Sequence, residues 1–315
     1  MGITRRSLLG LVFAVLFASC AAQSTPTTNI PTQAAASPSA SAGAFPATVV
    51  DFQSRSTTIA KRPERIVSIG PSNTEYLFAL GAGDRVVGVD DFSDTPADAT
   101  KKEKVGGVKV NIEKVVSLRP DLVVTVKFSD GTIERLATTG APVLVIDPQR
   151  LVDVARTAVV LGTAVGANGQ KLASDIERRI EAVRAKTATA PRPRVYHEVD
   201  ASDPSKLYTV GPGSFIADII DVAGGTNVAA RAGSAYPQLS PEEIVRADPE
   251  VIVLADADYG MTVDAVSARA GWAQITAVRT KRVYPITDSL VSRPGPRVAD
   301  AAEAYAKLLH PELFR

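Results

Sequence analysis

The sequence predicts an α/β protein of two pseudo-symmetric lobes, each a parallel sheet flanked by helices, joined by one long inter-lobe helix. Three observations predict it. From about residue 60 to the end, short apolar runs rich in valine and isoleucine alternate with helical patterns, the sign of parallel sheets covered on both faces. The stretch NIEKVVSLRPDLVV at 111–124 returns as SPEEIVRADPEVIV at 240–253, 129 positions later. Between the two halves, Leu172, Ile176, Ile180 and Val183 fall on one face of a helix expected from about Asn168 to Lys186. At 1.5 Å per residue that helix is roughly 30 Å long, enough to act as a stiff backbone.

The chain of 315 residues has room for two lobes of about 100 residues each behind a leader and a linker. Residues 1–19 read as an export signal: Arg5 and Arg6 precede an apolar run from Leu8 to Ala18. That run is shorter than the ~20 residues needed to span a bilayer. The closing FASC resembles a lipobox, which makes Cys20, the only cysteine, the expected lipidation site, with Phe17 where leucine is usual. TRRSLL resembles a twin-arginine signal. Residues 20–47 carry no charge and are crowded with Ser, Thr, Pro and Ala, so they are expected to be a flexible tether.

The N-terminal lobe is expected over 48–150. RIVSIG is its first buried strand, SNTEYLFALGAG a helix with Ser72 and Glu75 as capping box, and RVVGVDD the second strand. A helix at 111–118, the strand DLVVTV, a helix near 130–139 and the strand PVLVID complete it. Residues 151–190 form the connecting helix region. The C-terminal lobe, 191–315, repeats the scheme with the strands RVYHEVD, EVIVLAD and RVYPITD. Its helices are expected in GPGSFIADIIDVAGG, at 241–247, near 262–277 and in PRVADAAEAYAKLLH.

The repeated element carries a glutamate at its third place in both lobes, Glu113 and Glu242. Asn111 and Ser240 are natural N-caps, Pro241 suits the first helical position, and Ser240 with Glu243 can close a capping box. One role open to the glutamates is to complement the helix dipole, a gain of about 0.3–1 kcal/mol each. That role leaves their matched placement in both lobes unexplained.

RIVSIGPSNTEYLFALGAGDRVVGVDDFSDTP, VGGVKVNIEKVVSLRPDLVV, YTVGPGSFIADIIDVAGGTNV, YPQLSPEEIVRADPEVIV and SRPGPR resemble the solute-binding proteins of ABC importers for cobalamin and ferric siderophores, the helical-backbone type. The match runs from about residue 60 to the C-terminus with its motifs in order. The resemblance implies an exported, lipid-anchored receptor on the outer face of the cytoplasmic membrane. It would be monomeric, capture its ligand between two α/β lobes and deliver it to a permease dimer driven by a cytoplasmic ATPase. Glutamates at the positions of Glu113 and Glu242 dock, one per lobe, onto arginines of that dimer. The cargo is cobalamin or, as the alternative, a ferric siderophore or haem; no catalytic cofactor is implied.

Ligand contacts are expected where loops leave the C-terminal ends of the strands. In the first lobe these are Pro71, Ser72 and Asn73, then Asp91, Phe92, Ser93 and Asp94. In the second they are Tyr208, Gly213, Tyr236, Asp288, Ser289 and Arg293. In the cobalamin-binding relatives, aromatics matching Phe92, Tyr208 and Tyr236 line the corrinoid cleft. Where some of them place a tryptophan before the docking helix this chain has Gly107 and Val108, and a late aspartate of theirs aligns with Ser289 rather than Asp288. Arg293 can fork onto carboxylate, catecholate or amide oxygens, whereas Arg297, in the terminal helix, is expected to be solvated.

Other classes fit poorly. The net charge of +1 advertises no basic surface for nucleic acid. Two histidines, His197 and His310, make no metal-ligand cluster. A haem receptor would take Tyr208, Tyr236 or His197 as axial ligand. An exported hydrolase is the cross-class alternative, but no G-x-S-x-G elbow follows a strand.

Overall fold

The computed structural model describes residues 43–314. The expected leader, Cys20 and most of the tether lie outside the described residues. The described chain opens with an antiparallel hairpin, β1 (Ala47–Val50) and β2 (Ser56–Ile59). Asp51, fully buried at its turn, accepts the backbone N–H of Gln53, Arg55 and Val145 and the Arg55 side chain. The hairpin is thereby fastened to the edge of the first sheet. The Arg55 hydrogen bonds and three backbone N–H groups outweigh desolvation and hold the Asp51 carboxyl below its ordinary range.

The first sheet comprises β3 (Ile66–Ser68), β4 (Val86–Val89), β5 (Glu103–Lys104), β6 (Leu122–Thr125) and β7 (Val143–Val145). Their order is β5-β4-β3-β6-β7, all parallel. Helices α1 (Pro71–Ala79), α2 (Ile112–Ser117) and α3 (Thr132–Ala137) connect them. Alternation decides the faces: Leu122 and Val124 enter one apolar cluster and Val123 another, as a period of two requires.

The connecting region is a helical hairpin. Helix α4 (Leu151–Val165) runs against α5 (Gly169–Thr187), the long helix expected from sequence, capped by Asn168. The two touch at glycines: a Cβ on Gly169 would lie 2.1 Å from the Ala158 carbonyl oxygen. Helix α4 belongs to the first lobe, where the Val154 carbonyl accepts the buried Tyr76 hydroxyl at 2.8 Å. Helix α5 belongs to the second, with Thr187 donating to the Val222 carbonyl and Arg179 paired with Asp300.

The second sheet comprises β8 (Arg194–Asp200), β9 (Leu207–Thr209), β10 (Thr226–Asn227), β11 (Gln238–Leu239), β12 (Val251–Leu254) and β13 (Val283–Pro285). Its order is β11-β9-β8-β12-β13, with β10 also on β8. It is mixed rather than all parallel: β9 runs antiparallel to β8 and β11 antiparallel to β9. Only residues 201–206 separate β8 from β9, and a parallel crossover needs roughly a dozen residues or more. Around the sheet stand α6 (Phe215–Val222), α7 (Pro241–Ala247), α8 (Val263–Ser267), α9 (Thr276–Arg279), α10 (Asp288–Val291) and the terminal α11 (Val298–Leu309). The helix expected near 262–277 is two short ones, because Gly271 takes φ 78° between them and buries Trp272.

One apolar core runs beneath both lobes. Ile66, Val124 and Leu144 of the first sheet join Ala158 and Leu161 of α4, Ile176 and Val183 of α5, and Val253 and Leu309 of the second lobe in a single cluster. Continuous packing of this density resists shear.

Candidate inter-lobe site

Parallel strands deliver their C-terminal ends to one edge of a sheet, and loops leaving that edge are free to carry function. In the first lobe those loops are organised by Asp90, which is buried. Its carboxylate accepts the Gly70 N–H at 2.7 Å, the Ser93 hydroxyl at 2.8 Å and the Phe92 N–H at 2.9 Å. Ser68, Thr74 and Ser93 continue the network as a buried hydroxyl chain with 2.8 Å spacings. The loop after β4 is thus rigid while Phe92 itself stands half exposed.

In the second lobe the loop after β12 is tied to the loop after β13. Asp258 accepts the Asp288 N–H at 2.8 Å, and the Tyr259 hydroxyl donates to Asp288 Oδ2 at 2.9 Å. Tyr208 pairs with Asp200 at the end of β8. Tyr236 stands in the segment bonded alongside, where Gly211 donates to Ala235 and Thr209 to Pro237.

Two arginines join the lobes. Arg297 forks onto Glu75 at 2.7 and 2.9 Å. Arg293 reaches Asp94 at 2.6 Å, Glu75 at 3.3 Å and the Phe92 carbonyl at 3.3 Å. Gly295 lies between them, so close that a Cβ there would stand 3.0 Å from the Glu75 carboxylate. The Arg293 hydrogen bond holds the Asp94 carboxyl below its ordinary value, more than partial burial raises it. Both arginines are held above theirs by these carboxylates, against desolvation.

Three expectations need correction here. Arg297 is not solvated but bidentate on Glu75. Ser72 and Glu75 form no capping box: the N-cap of α1 is Gly70, without a side-chain cap, and Glu75 is buried under the second lobe. His197 cannot act as an axial ligand, because it is wholly buried in β8 with Nδ1 on the Tyr305 hydroxyl. Burial pushes its imidazole down to about 3, so it stays neutral.

Of the remaining expected contacts, Phe92, Tyr208 and Tyr236 are exposed rings. Arg293 sits at the inter-lobe bridge, Ser72 is buried on α1 near Gly295, and Pro71 opens that helix partly exposed. Asn73 is fully buried with its amide on the Ile69 carbonyl, which leaves a ligand nothing to touch. Gly213 is exposed at φ 92°, ahead of the Ser214 cap of α6, and its neighbours Pro212 and Ala217 border a hollow beside that helix. Asp288 spends its carboxylate on Tyr259 and Ser292, and Ser289 offers its carbonyl to Arg297. Sequence reasoning passed over Tyr259 and read Glu75 only as a helix cap. Tyr259 could have been found, since ADADYG occupies the same place after its strand as DDFSDT does.

The repeated helices are closed at their C-terminal ends in the same way. Arg65, just before β3, donates to the carbonyls of Leu118 and Arg119 at the end of α2; Arg194, opening β8, donates to those of Ala247 and Asp248 at the end of α7. Arg119 and Asp248 both take φ 45°. Asp121 accepts the Arg65 N–H, and Glu250 the Arg194 N–H. Each pair is 129 positions apart, like the glutamates. Capping is done by Asn111 on Lys114 N–H in one helix and by the Ser240–Glu243 box in the other. Glu113 and Glu242 are exposed and join no ion pair among the described residues.

Two α/β lobes on a helical spine, with loops meeting across one edge, match a known family along most of the chain. The model for the periplasmic binding proteins covers residues 66–290. The chain belongs to that family. Among relatives, YvrC, an ABC transporter substrate-binding lipoprotein of Bacillus subtilis strain 168, is 36% identical over 281 residues, 86% of this chain and 88% of the relative. A cobalamin-binding protein of Halobacterium salinarum is 32% identical across 84% of this chain and 74% of its own length. Among solved structures, the periplasmic vitamin B12-binding protein BtuF of Vibrio cholerae superposes with TM-score 0.68 at 27% identity, covering 80% of this chain and 99% of that one. This periplasmic binding protein is the substrate-binding component of an ABC importer, a member of a family that works outside the cytoplasm with a permease and an ATPase. No helix among the described residues is long and apolar enough to cross a membrane.

Proposed function

We propose that this binding protein captures a corrinoid, with cobalamin as the reference ligand, between its lobes and hands it to a two-fold permease that receives Glu113 and Glu242. One observation carries the ligand class. Among the described residues the exposed aromatic rings are Phe92, Tyr208, Tyr236 and Tyr259, and all belong to the segments at the loop-bearing end of the two sheets. Flat apolar surface suits a large macrocycle. Anionic ferric catecholates want free cations, and here Arg293 and Arg297 are already committed to carboxylates. Haem wants a phenolate or imidazole ligand. The Asp288 carboxylate pushes the Tyr259 phenol up, partial burial does the same to Tyr236, and His197 is buried.

Calorimetry and visible absorption with cyanocobalamin, ferric hydroxamate and catecholate siderophores, and haemin test the reading. Binding of cyanocobalamin at low micromolar concentration or tighter is expected. No heat with cyanocobalamin, alongside a signal from a siderophore or haemin, replaces it with that alternative. The reading includes a lipid anchor on Cys20, a monomer and no turnover of the cargo. Intact-mass data showing cleavage elsewhere with an unmodified cysteine would remove the anchor, and a ligand recovered altered would remove the last point.

A further inference from the structure

Tyr259 ends the single turn Ala255–Tyr259 that leaves β12, and Gly260 at φ 103° turns the chain away behind it. The position is held from two sides. Asp258 grips the Asp288 backbone and Asp288 accepts the Tyr259 hydroxyl, so two loops from neighbouring strands fix one ring. Despite that order the residue is 78% exposed, the most of any aromatic ring among the described residues. Leaving apolar surface in water on an ordered loop forgoes burial worth about 25 cal/mol per Å². Next to Asp288, the Ser289 carbonyl accepts Arg297 at 2.9 Å, and Arg297 crosses to Glu75 of the first lobe. The Tyr259 ring, held on Asp288, therefore stands beside the bridge where the lobes meet.

We infer that Tyr259 contacts the transported ligand as a fourth aromatic wall beside Phe92, Tyr208 and Tyr236, and that Asp288 is the positioning residue that aims its ring. With its hydroxyl kept as a phenol that donates a hydrogen bond to Asp288, Tyr259 offers the ligand a ring face and edge rather than a phenolate oxygen for a metal. The partner chemistry is a broad, apolar or amide-fringed macrocycle that brings its own metal ligands. A ring already ordered before binding loses little freedom on binding, which favours affinity.

The inference rests on the corrinoid reading for its probe. In the full chain, Tyr259→Ala should raise the Kd for cyanocobalamin by about tenfold to a hundredfold, the range for truncating an aromatic anchor. Tyr259→Phe, which keeps the ring, should recover most of that loss. Because the ring is exposed, the melting temperature of both variants should stay within about 2 °C of the parent. Asp288→Ala should weaken binding by itself and add nothing to Tyr259→Ala. A Tyr259→Ala variant with the parent Kd overturns the contact, and losses that add in the double variant overturn the positioning role. If the parent binds haemin or a siderophore instead of cyanocobalamin, the corrinoid reading falls by itself. The same variants are then titrated with that ligand, and an unchanged Kd for Tyr259→Ala still overturns the inference.

Discussion

At the scale of single residues, the cleft and the interior ask opposite things of polar side chains. Tyr208 and Tyr236 keep their rings in water. Replacing either with alanine should weaken cyanocobalamin binding by about 1–3 kcal/mol while leaving the urea midpoint unchanged, as read by calorimetry and denaturation. Behind the rim, Glu198 is fully buried with Arg269 at 2.5 and 2.8 Å and the Tyr196 hydroxyl at 3.2 Å. Asp256 lies against it with one oxygen lacking any partner. Burial, then the Glu198 charge, push the Asp256 carboxyl up to about 7 from an ordinary 3.8. The folded protein thus holds a proton there that the unfolded chain has released, so this site favours folding at low pH. Its contribution is lost as pH rises from about 4 through 7. Asp256→Asn should raise the melting temperature at pH 8 and leave it unchanged at pH 4, as thermal melts would show; equal shifts at both would mean that no proton is held.

At the scale of elements, the repeated helix explains its own glutamates. Asn111 caps α2 and the Ser240–Glu243 box caps α7, while Arg65 and Arg194 close the far ends. Both helices are capped without Glu113 and Glu242, whose carboxylates are exposed and join no ion pair among the described residues. Charge reversal at such sites costs an isolated fold roughly 0.5 kcal/mol or less, yet sets like charges together in a docked complex. Glu113→Arg and Glu242→Arg should keep ligand affinity and melting temperature and lose uptake into vesicles carrying the cognate permease, with the double variant worst. Normal transport by both single variants at low ionic strength would reduce the glutamates to dipole complements.

For the whole molecule, the shared core under α4 and α5 makes the base rigid, and the arginine bridge holds the open end. Glu75 comes from the first lobe; its partners follow 218 and 222 positions later in the second. Removing one member of a buried pair strands the others. Glu75→Gln should cost about 2–4 kcal/mol, less than a fully enclosed pair because Arg297 keeps partial contact with water, and should enlarge the radius of gyration in solution scattering as the lobes part. An unchanged melting temperature and radius would show that the core alone sets the lobe arrangement.

Strands, caps and the duplicated helix could be read from the chain itself, because each depends on near neighbours. Valine and isoleucine runs mark strands buried on both faces, Asn111 and Ser240 mark helix starts within three residues of their targets, and Leu172 to Val183 mark the buried stripe of α5. The lobes and the exposed Phe92, Tyr208 and Tyr236 followed from the same local patterns. What only the tertiary structure decided has partners far away in the chain. Glu75 looks like a capping residue until Arg297 is brought beside it, and Arg297 looks solvated for the same reason. His197 is a polar residue in a strand, and only its meeting with Tyr305, 108 positions later, shows it enclosed. The direction of β9 turned on the length of the loop before it. Tyr259 became a rim residue only when two loops, 29 positions apart at their hydrogen bond, met at the edge of one sheet; local periodicity carries no record of such meetings, since they are chosen by which surfaces the folded chain brings together.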